Sequence, residues 1–225
     1  PLKDDQIAAL KNCLSQFDVD EAEKIKHFEQ ETHHDVKAVE YYLADYCNNH
    51  QCSHIIPFLH FALTSEDVNN LSYALILKHS KASIIQPLFH DIIAKLTDMA
   101  HMWSNHEMLA HTHGQPASPT TVGKELMNVV LRLERQYNQW DQQTILAKWN
   151  GATGNFHAHH IAFPEANWPK LAQQFIESFD ISYNSHTTQI EPHDYIAELL
   201  HTLIRINNII IDLCQDTWGY ISLGY

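Results

Sequence analysis

The sequence predicts an all-α protein, a bundle of long helices with a smaller helical region on its N-terminal side. Only 6 glycines and 8 prolines occur in 225 residues, and so few turn formers favour long helices over many short strands. Apolar residues also recur at helical spacing over long windows, which is typical of bundles in which neighbouring helices cover each other's apolar faces. One stretch, residues 156–163, alternates in a way that allows a short strand or a single short hairpin.

The N-terminal helical region is predicted to cover residues 1–63. Its helices are expected over residues 4–17, at about residues 20–30 and over residues 35–47, each from apolar residues along one stripe. Either Asp18 or Asp20 can cap the second helix, since a short side-chain oxygen there can accept a free backbone N–H.

A central long-helix bundle domain is predicted for residues 64–225. Ser65 is a good N-cap for its first helix, and Glu66 and Asp67 in the first turn suit the helix dipole. Pro87 is expected to end or kink this helical run, because proline removes a backbone hydrogen bond.

Three more helices are predicted over residues 121–149, 168–179 and 193–225. Residues 111–119, before the first of these helices, and residues 151–164, after it, are predicted to be irregular because both segments contain glycine and proline. The first and last of these helices exceed the common globular length. Such helices favour oligomerisation, since a second subunit can cover a long apolar stripe.

Composition excludes several classes of function. Acidic residues outnumber basic ones 27 to 14, giving a net charge of −13, whereas a nucleic-acid surface or an anionic membrane surface requires a basic face. No apolar run is long enough to span a bilayer. The four cysteines form no CxxC pair, which favours free thiols in a reducing cytosol and a cytoplasmic protein.

Candidate chemistry begins with His113, which lies in the Gly/Pro-rich segment between two long helices. Loops at helix ends are where rigid scaffolds place reactive groups, and an imidazole can exchange protons near neutral pH, as general acid catalysis requires. On the residues alone a solvated or capping histidine is favoured, because a lone histidine is weak evidence for catalysis.

Two further polar clusters precede predicted helices. His33, His34 and Asp35 form the first, and Thr64 with Ser65 forms the second. Hydroxyls and free backbone N–H groups at a helix start suit a carboxylate or a phosphate. Simple capping by Asp35 and Ser65 is the alternative that the residue types alone leave open.

The run His157, His159 and His160 allows a zinc or nickel hypothesis, but no HExxH motif or cysteine pair supports it. A solvated or interfacial run is favoured. Arginine occurs only at Arg132, Arg135 and Arg205, all within helix patterns. A polyanionic substrate normally requires several arginines, so such a site would need groups from elsewhere.

Four segments of the sequence resemble those of bacterial adenylosuccinate lyases, in the same order. They are THGQPA followed by SPTTVGKE (residues 112–125), HHDVKAVEYYL (residues 33–43), TSEDVNNLSYAL (residues 64–75) and TTQIEPHDYIAEL (residues 187–199). The first belongs to the wider fumarase/aspartase superfamily, but its longer form is narrower. The resemblance covers nearly the whole chain.

The resemblance implies the roles of individual residues. His113 would be the general acid that protonates the departing nitrogen, and Thr112 would help to hold the succinyl group. Thr64 and Ser65 would hold a succinyl carboxylate. The remaining substrate contacts would be His34 near the phosphate, His33 and Asp35 lining the site, and Gln189.

The sequence departs from the family pattern at two positions and lacks one segment. His33 stands where asparagine is usual, and His111 stands where arginine is common. The family's SSxMPxKxNP loop, which carries a serine general base, does not occur in these 225 residues. We therefore expect the sequence to be an excerpt of a longer chain, without the N-terminal segment and the C-terminal part that holds this loop.

The resemblance also implies a reaction and partners. The family eliminates fumarate from a small-molecule nucleotide, without metal or organic cofactor, in homotetramers whose active sites are shared between subunits. Another superfamily lyase, such as argininosuccinate lyase or aspartase, is the nearest alternative. A noncatalytic helical assembly module is an alternative of another class, and a zinc-binding helical protein is a more distant one.

Overall fold

A computed structural model describes residues 3–225. Nine α-helices and two small two-stranded sheets occur in this part of the chain, so the predicted all-α class is confirmed. The helices are α1 (Asp4–Ser15), α2 (Val19–Thr32), α3 (Asp35–Asn49), α4 (Ser65–Ser80), α5 (Gln86–Met102), α6 (Val122–Gln142), α7 (His157–Ala162), α8 (Trp168–Glu177) and α9 (Asp194–Leu223). The strands are β1 (Glu107–Thr112), β2 (Gln115–Thr121), β3 (Leu146–Ala147) and β4 (Ser182–Tyr183).

The first three helices form where the apolar pattern predicts them, and their caps are local. The Asp18 side chain accepts the backbone N–H of Glu21 at 3.0 Å, so Asp18 is the N-cap of α2. A left-handed residue, His33, ends α2 at φ 49°. A short 3₁₀ helix, Ser53–Phe58, follows α3.

Helix α4 begins at Ser65 itself, so Ser65 is the first helical residue and not the N-cap that the sequence suggested. The Asp67 carboxylate reaches back and accepts the Thr64 backbone N–H at 2.9 Å, as the third helical residue does in a capping box. A π-helical turn, Lys81–Ile85, separates α4 from α5. Pro87 lies in the first turn of α5, where a missing N–H costs little.

Helix α6 ends at Gln142, seven residues before the predicted end at Trp149, and this prediction was wrong. Gln143 turns to an extended conformation at ψ 128°. Lys148 and Asn150, which follow, are fully buried. Their tertiary contacts favour an extended conformation here, although the apolar pattern is helical.

The hairpin occurs at a different place from the one suggested by alternation. Residues 156–163, the suggested hairpin, contain helix α7. The Gly/Pro-rich segment, predicted to be an irregular loop, forms the antiparallel ribbon of β1 and β2. Pro116 and Pro119 are tolerated in β2 because both strands of a two-stranded ribbon are edge strands.

The chain divides into two compact units that are interleaved along the sequence. The first unit holds the described residues up to Tyr73 together with Ala147–Pro192, and the second holds Ala74–Leu146 together with His193–Tyr225. A domain boundary after residue 63 remains the prediction from the sequence. None of the helices between residues 3 and 225 has the length and apolar character needed to cross a bilayer.

The second unit is built on α5, α6 and α9. Gly123, at the start of α6, allows close packing on α5, since a Cβ atom there would lie 2.2 Å from the Ala100 carbonyl oxygen. The buried core of this unit consists of Phe89, Leu96 and Ala100 from α5, Leu126, Val129, Val130 and Leu133 from α6, and Ile206 and Ile209 from α9. This packing of α5, α6 and α9 forms the long-helix bundle that the apolar periodicity predicts.

Candidate active site

The N-terminus of α4 presents two hydroxyl groups beside the backbone N–H groups of a helix start. Thr64 precedes the helix and Ser65 opens it, and both residues are half-buried. Since the first N–H groups of a helix have no partner within it, and since the helix dipole is positive at this end, the geometry suits a carboxylate or a phosphate.

His34 links this helix start to the N-terminus of α3. Its Nδ1 accepts the backbone N–H of Lys37 at 3.2 Å, which makes it the N-cap of α3. A ring nitrogen that accepts a hydrogen bond carries no proton, so the ring N–H lies on Nε2. Nε2 is 3.2 Å from the Ser65 hydroxyl oxygen and donates to it. The Ser65 hydroxyl can then donate its own proton to a bound anion.

Asp35 and His33 flank His34 in the chain, and both are exposed. The Asp35 pKa is lowered, chiefly by the backbone N–H of Val36 and further by the amide of Asn69, which donates to Oδ2 at 3.1 Å. His33 holds the left-handed conformation that ends α2. Asparagine and histidine both tolerate this conformation better than most residues.

Gln189 reaches the same helix start from a distant segment. Its Nε2 donates to the Thr64 hydroxyl oxygen at 3.2 Å. The local turn is held by the Thr188 hydroxyl, which accepts the backbone N–H of Ile190 at 3.3 Å. Gln189 itself is exposed, so its amide is accessible to a ligand.

His113 and Thr112 lie in the second unit, at the tip of the β1–β2 hairpin. Thr112 pairs with Gln115, which leaves His113 and Gly114 as a two-residue turn. Both turn residues have positive φ, 51° and 75°, as type I′ hairpin turns require. Histidine at positive φ is uncommon, and such backbone outliers concentrate at functional sites. The tip presents an exposed imidazole on a short ribbon.

The structure therefore joins six of the predicted site residues by hydrogen bonds or direct chain continuity within the first unit. They are His33, His34, Asp35, Thr64, Ser65 and Gln189. Thr112 and His113 belong to the second unit.

Sequence reasoning missed the buried residues that hold this cluster. Asp67 was read only as a charge favourable to the helix dipole, and Lys148 was placed in a helix. Their side chains form a fully buried ion pair, with Nζ 2.8 Å from Oδ1. The one signal in the sequence was the acidic residue three positions after Thr64, which is the spacing of a capping box.

The histidines at positions 157, 159 and 160 were expected to be solvated or interfacial, and this holds for only two of them. His157 and His160 are exposed, but His159 is fully buried between aromatic rings. The nearest ring centroid, that of Trp168, is 4.8 Å away. Within residues 3–225, no group of three or more histidine, cysteine or acidic side chains could hold a metal ion. The cysteines of this part of the chain are free thiols.

Comparison with known proteins places the chain in a family. A family model described as "Lyase" matches residues 2–225. An adenylosuccinate lyase of Legionella pneumophila (strain Corby) is 52% identical over 217 residues, which are 96% of this chain and 48% of that protein. The adenylosuccinate lyase of Escherichia coli (strain K12) is 46% identical over 222 residues, 98% of this chain and 49% of that protein.

The resemblance inferred from four short segments is thus confirmed over nearly the whole sequence, and the chain spans about half the length of the curated relatives it matches. A fumarate lyase from Mesorhizobium sp. BNC1 has a crystal structure that superimposes with a TM-score of 0.74, covering 98% of this chain and 50% of that chain. At 15% identity, this likeness supports the fold alone. From the matched family model and the helical architecture together, the chain belongs to this lyase family.

Proposed function

We propose that the full-length protein is an adenylosuccinate lyase that eliminates fumarate from adenylosuccinate to give AMP. The same enzyme would release fumarate from the succinyl-aminoimidazole-carboxamide ribotide of purine biosynthesis. Relatives with this name at 46–52% identity support the proposal. The observation that carries it is the convergence of Thr64, Ser65, His34 and Gln189 at one helix start.

The chemistry is a β-elimination, in which a base removes a proton from the succinyl carbon next to a carboxylate. The resulting carbanion delocalises into that carboxylate, so fixed hydrogen-bond donors at this position lower the barrier. The hydroxyls of Thr64 and Ser65, the amide of Gln189 and the N–H groups of α4 are donors of this kind. They are assigned to one succinyl carboxylate, with Thr112 as a further contact to the succinyl group.

Cleavage of the carbon–nitrogen bond requires an acid that protonates the leaving nitrogen. His113 is assigned this role, because an imidazole exchanges protons near neutral pH and the hairpin tip exposes it. His34 is placed near the substrate phosphate, and His33 and Asp35 line the same region. The reaction needs no metal or organic cofactor, since the carboxylate itself stabilises the charge.

The general base is proposed to come from the family's SSxMPxKxNP loop elsewhere in the full-length protein. We also propose a homotetramer in the cytoplasm, with each active site completed by neighbouring subunits. Apolar side chains of α9, including Leu200, Ile204 and Ile211, are about half exposed and are suited to cover by another helix.

A substrate panel tests this proposal. Fumarate release by the full-length protein is followed by ultraviolet absorbance with adenylosuccinate, the carboxamide ribotide, argininosuccinate and aspartate. The proposal predicts cleavage of the first two and at least about a hundredfold lower kcat/KM for the others. Cleavage of argininosuccinate or aspartate instead would indicate another superfamily lyase. Cleavage of none would indicate a noncatalytic assembly module.

A further inference from the structure

A charged pair without solvent access lies behind the helix start that carries Thr64 and Ser65. The ammonium group of Lys148 is 2.8 Å from Asp67 Oδ1, and neither side chain has any exposed surface. Removing both charges from water is expensive, and an apolar pair of similar volume is often at least as stable. Stability alone is therefore a weak explanation for this ion pair, and its contacts with the surrounding backbone indicate another role.

Asp67 uses both carboxylate oxygens to hold two backbone segments. Oδ2 accepts the N–H of Thr64 at 2.9 Å and that of Gly151 at 3.1 Å. Oδ1 accepts the N–H of Asn150 at 3.0 Å, besides the ion pair with Lys148. Charge-assisted hydrogen bonds to an ionised carboxylate are the strong ones, so Asp67 fixes the backbone on which the Thr64 hydroxyl stands.

Asn70, one turn further along α4, fixes the backbone of Lys148 itself. Its Oδ1 accepts the Lys148 N–H at 2.8 Å, and its Nδ2 donates to the Lys148 carbonyl oxygen at 3.1 Å. The segment that follows β3 is thereby bound to α4 by its backbone and by the Lys148 ammonium group. The position of Lys148 and the position of the first turns of α4 are therefore coupled through these contacts.

The same segment holds the turn that carries Gln189. Asn150 Nδ2 donates to the Thr187 hydroxyl oxygen at 2.8 Å. Gly154 packs so closely against this turn that an added Cβ would lie 2.1 Å from the Thr187 carbonyl oxygen. Gln189 stands two residues further on and donates to Thr64. Both sides of the proposed carboxylate site therefore rest on residues 148–154.

We propose that the buried pair of Lys148 and Asp67 positions the carboxylate-binding end of the substrate site. Lys148 holds the Asp67 carboxylate, which in turn accepts the backbone N–H groups of Thr64 and Asn150. The Asn150 side chain then holds the turn that carries Gln189. Lys148 does not touch substrate, because its side chain is fully buried. This inference rests on the proposed function, since it assigns the donors it positions to a succinyl carboxylate.

A double substitution in the full-length enzyme separates the effect of the buried pair on substrate binding from its effect on stability. Lys148→Met alone leaves a buried carboxylate unpaired and should lower the melting temperature strongly. The double variant Lys148→Met, Asp67→Asn removes both charges and should regain most of that loss. A stability control is Ile176→Val, a fully buried position in α8 of the same unit.

Binding of the two products provides the readout. The side-chain amide introduced by Asp67→Asn offers one acceptor oxygen where the carboxylate offers two. Inhibition by fumarate should therefore weaken about fivefold in the double variant, the effect of losing one hydrogen bond. The inhibition constant of AMP should change less than about twofold in the double variant. In Ile176→Val, the inhibition constants of fumarate and AMP should both change less than about twofold. If the buried pair had a purely structural role, its removal would weaken the binding of both products equally or of neither.

Two results overturn the inference while leaving the proposed function intact. One is a double variant that cleaves adenylosuccinate and binds fumarate as tightly as wild type, and the other is equal weakening of fumarate and AMP. If wild type does not cleave adenylosuccinate, the proposed function fails and this inference falls with it. Thr187→Val tests the second connection without changing the buried pair, and unaltered fumarate binding there would overturn the link through Asn150.

Discussion

The side-chain amide of Gln189 donates a hydrogen bond to the hydroxyl of Thr64 at 3.2 Å, across 125 positions of sequence. The bond joins the turn before α9 to the first residues of α4. Because the Thr64 oxygen accepts this bond, its own proton can point to a third group. The two residues thus present a pair of donors side by side.

Replacement of Gln189 tests this pair. Gln189→Ala removes one donor, and we expect KM for adenylosuccinate to rise about fivefold, since a hydrogen bond contributes about 1 kcal/mol. Gln189→Glu places a carboxylate beside the substrate carboxylate, so the rise should exceed that of alanine by a further tenfold or so. Steady-state kinetics of both variants checks the order. A glutamate variant as active as wild type would contradict the assignment.

His34 has two roles that different substitutions can separate. Asparagine can still cap α3 but is too short to reach Ser65, so His34→Asn should keep the free energy of unfolding within about 0.5 kcal/mol and raise KM. His34→Ala also loses the cap and should cost about 1 kcal/mol more. Urea unfolding and kinetics measure the two effects. Equal stability of both variants would argue against the capping role.

Gly154 and Gly114 form a matched pair of glycines at positive φ, 76° and 75°. Gly114→Ala meets no atom within 4 Å, so it should cost only the backbone strain of about 1–2 kcal/mol. Gly154→Ala carries the same strain and also collides with the Thr187 carbonyl at 2.1 Å, which should add about 1–3 kcal/mol. Unfolding free energies of the two variants provide the check, and equal losses would contradict the close packing.

His159 should make folding sensitive to acid. Burial lowers its pKa, and the nearby Asp67 opposes this only in part. Below a pH of about 6.5 the unfolded chain binds a proton that the folded chain rejects, so stability is full above that pH and falls as pH decreases. His159→Phe should remove this part of the slope between pH 8 and 5.5, and an unchanged slope would contradict the assignment.

Features that depend on nearby residues were predictable from the sequence. The helices α1, α2, α3 and α9 follow from apolar periodicity, and the Asp18 cap follows from local hydrogen bonding. The end of α6 was not predictable, because the burial of Lys148 is decided by Asp67 and Asn70, about eighty positions away. Periodicity treats a lysine as exposed and cannot anticipate a buried partner.

The candidate site shows the same division. Thr64, Ser65 and His34 could be picked out as polar residues at helix starts, and resemblance added Gln189. Their mutual hydrogen bonds depend on tertiary structure. The β1–β2 hairpin was missed because glycine and proline in one segment indicate a loop, while the pairing of Thr112 with Gln115 depends on a two-residue turn with positive φ.

The most direct test of the account measures fumarate release from adenylosuccinate by full-length His113→Gln. Glutamine keeps polarity and hydrogen bonding but cannot deliver a proton, so kcat should fall by about 10²–10⁴ while KM changes only a few-fold. His101→Gln, at an exposed position on α5, is the control and should retain wild-type rates. A His113→Gln enzyme with full activity would contradict the assignment of His113 as the acid.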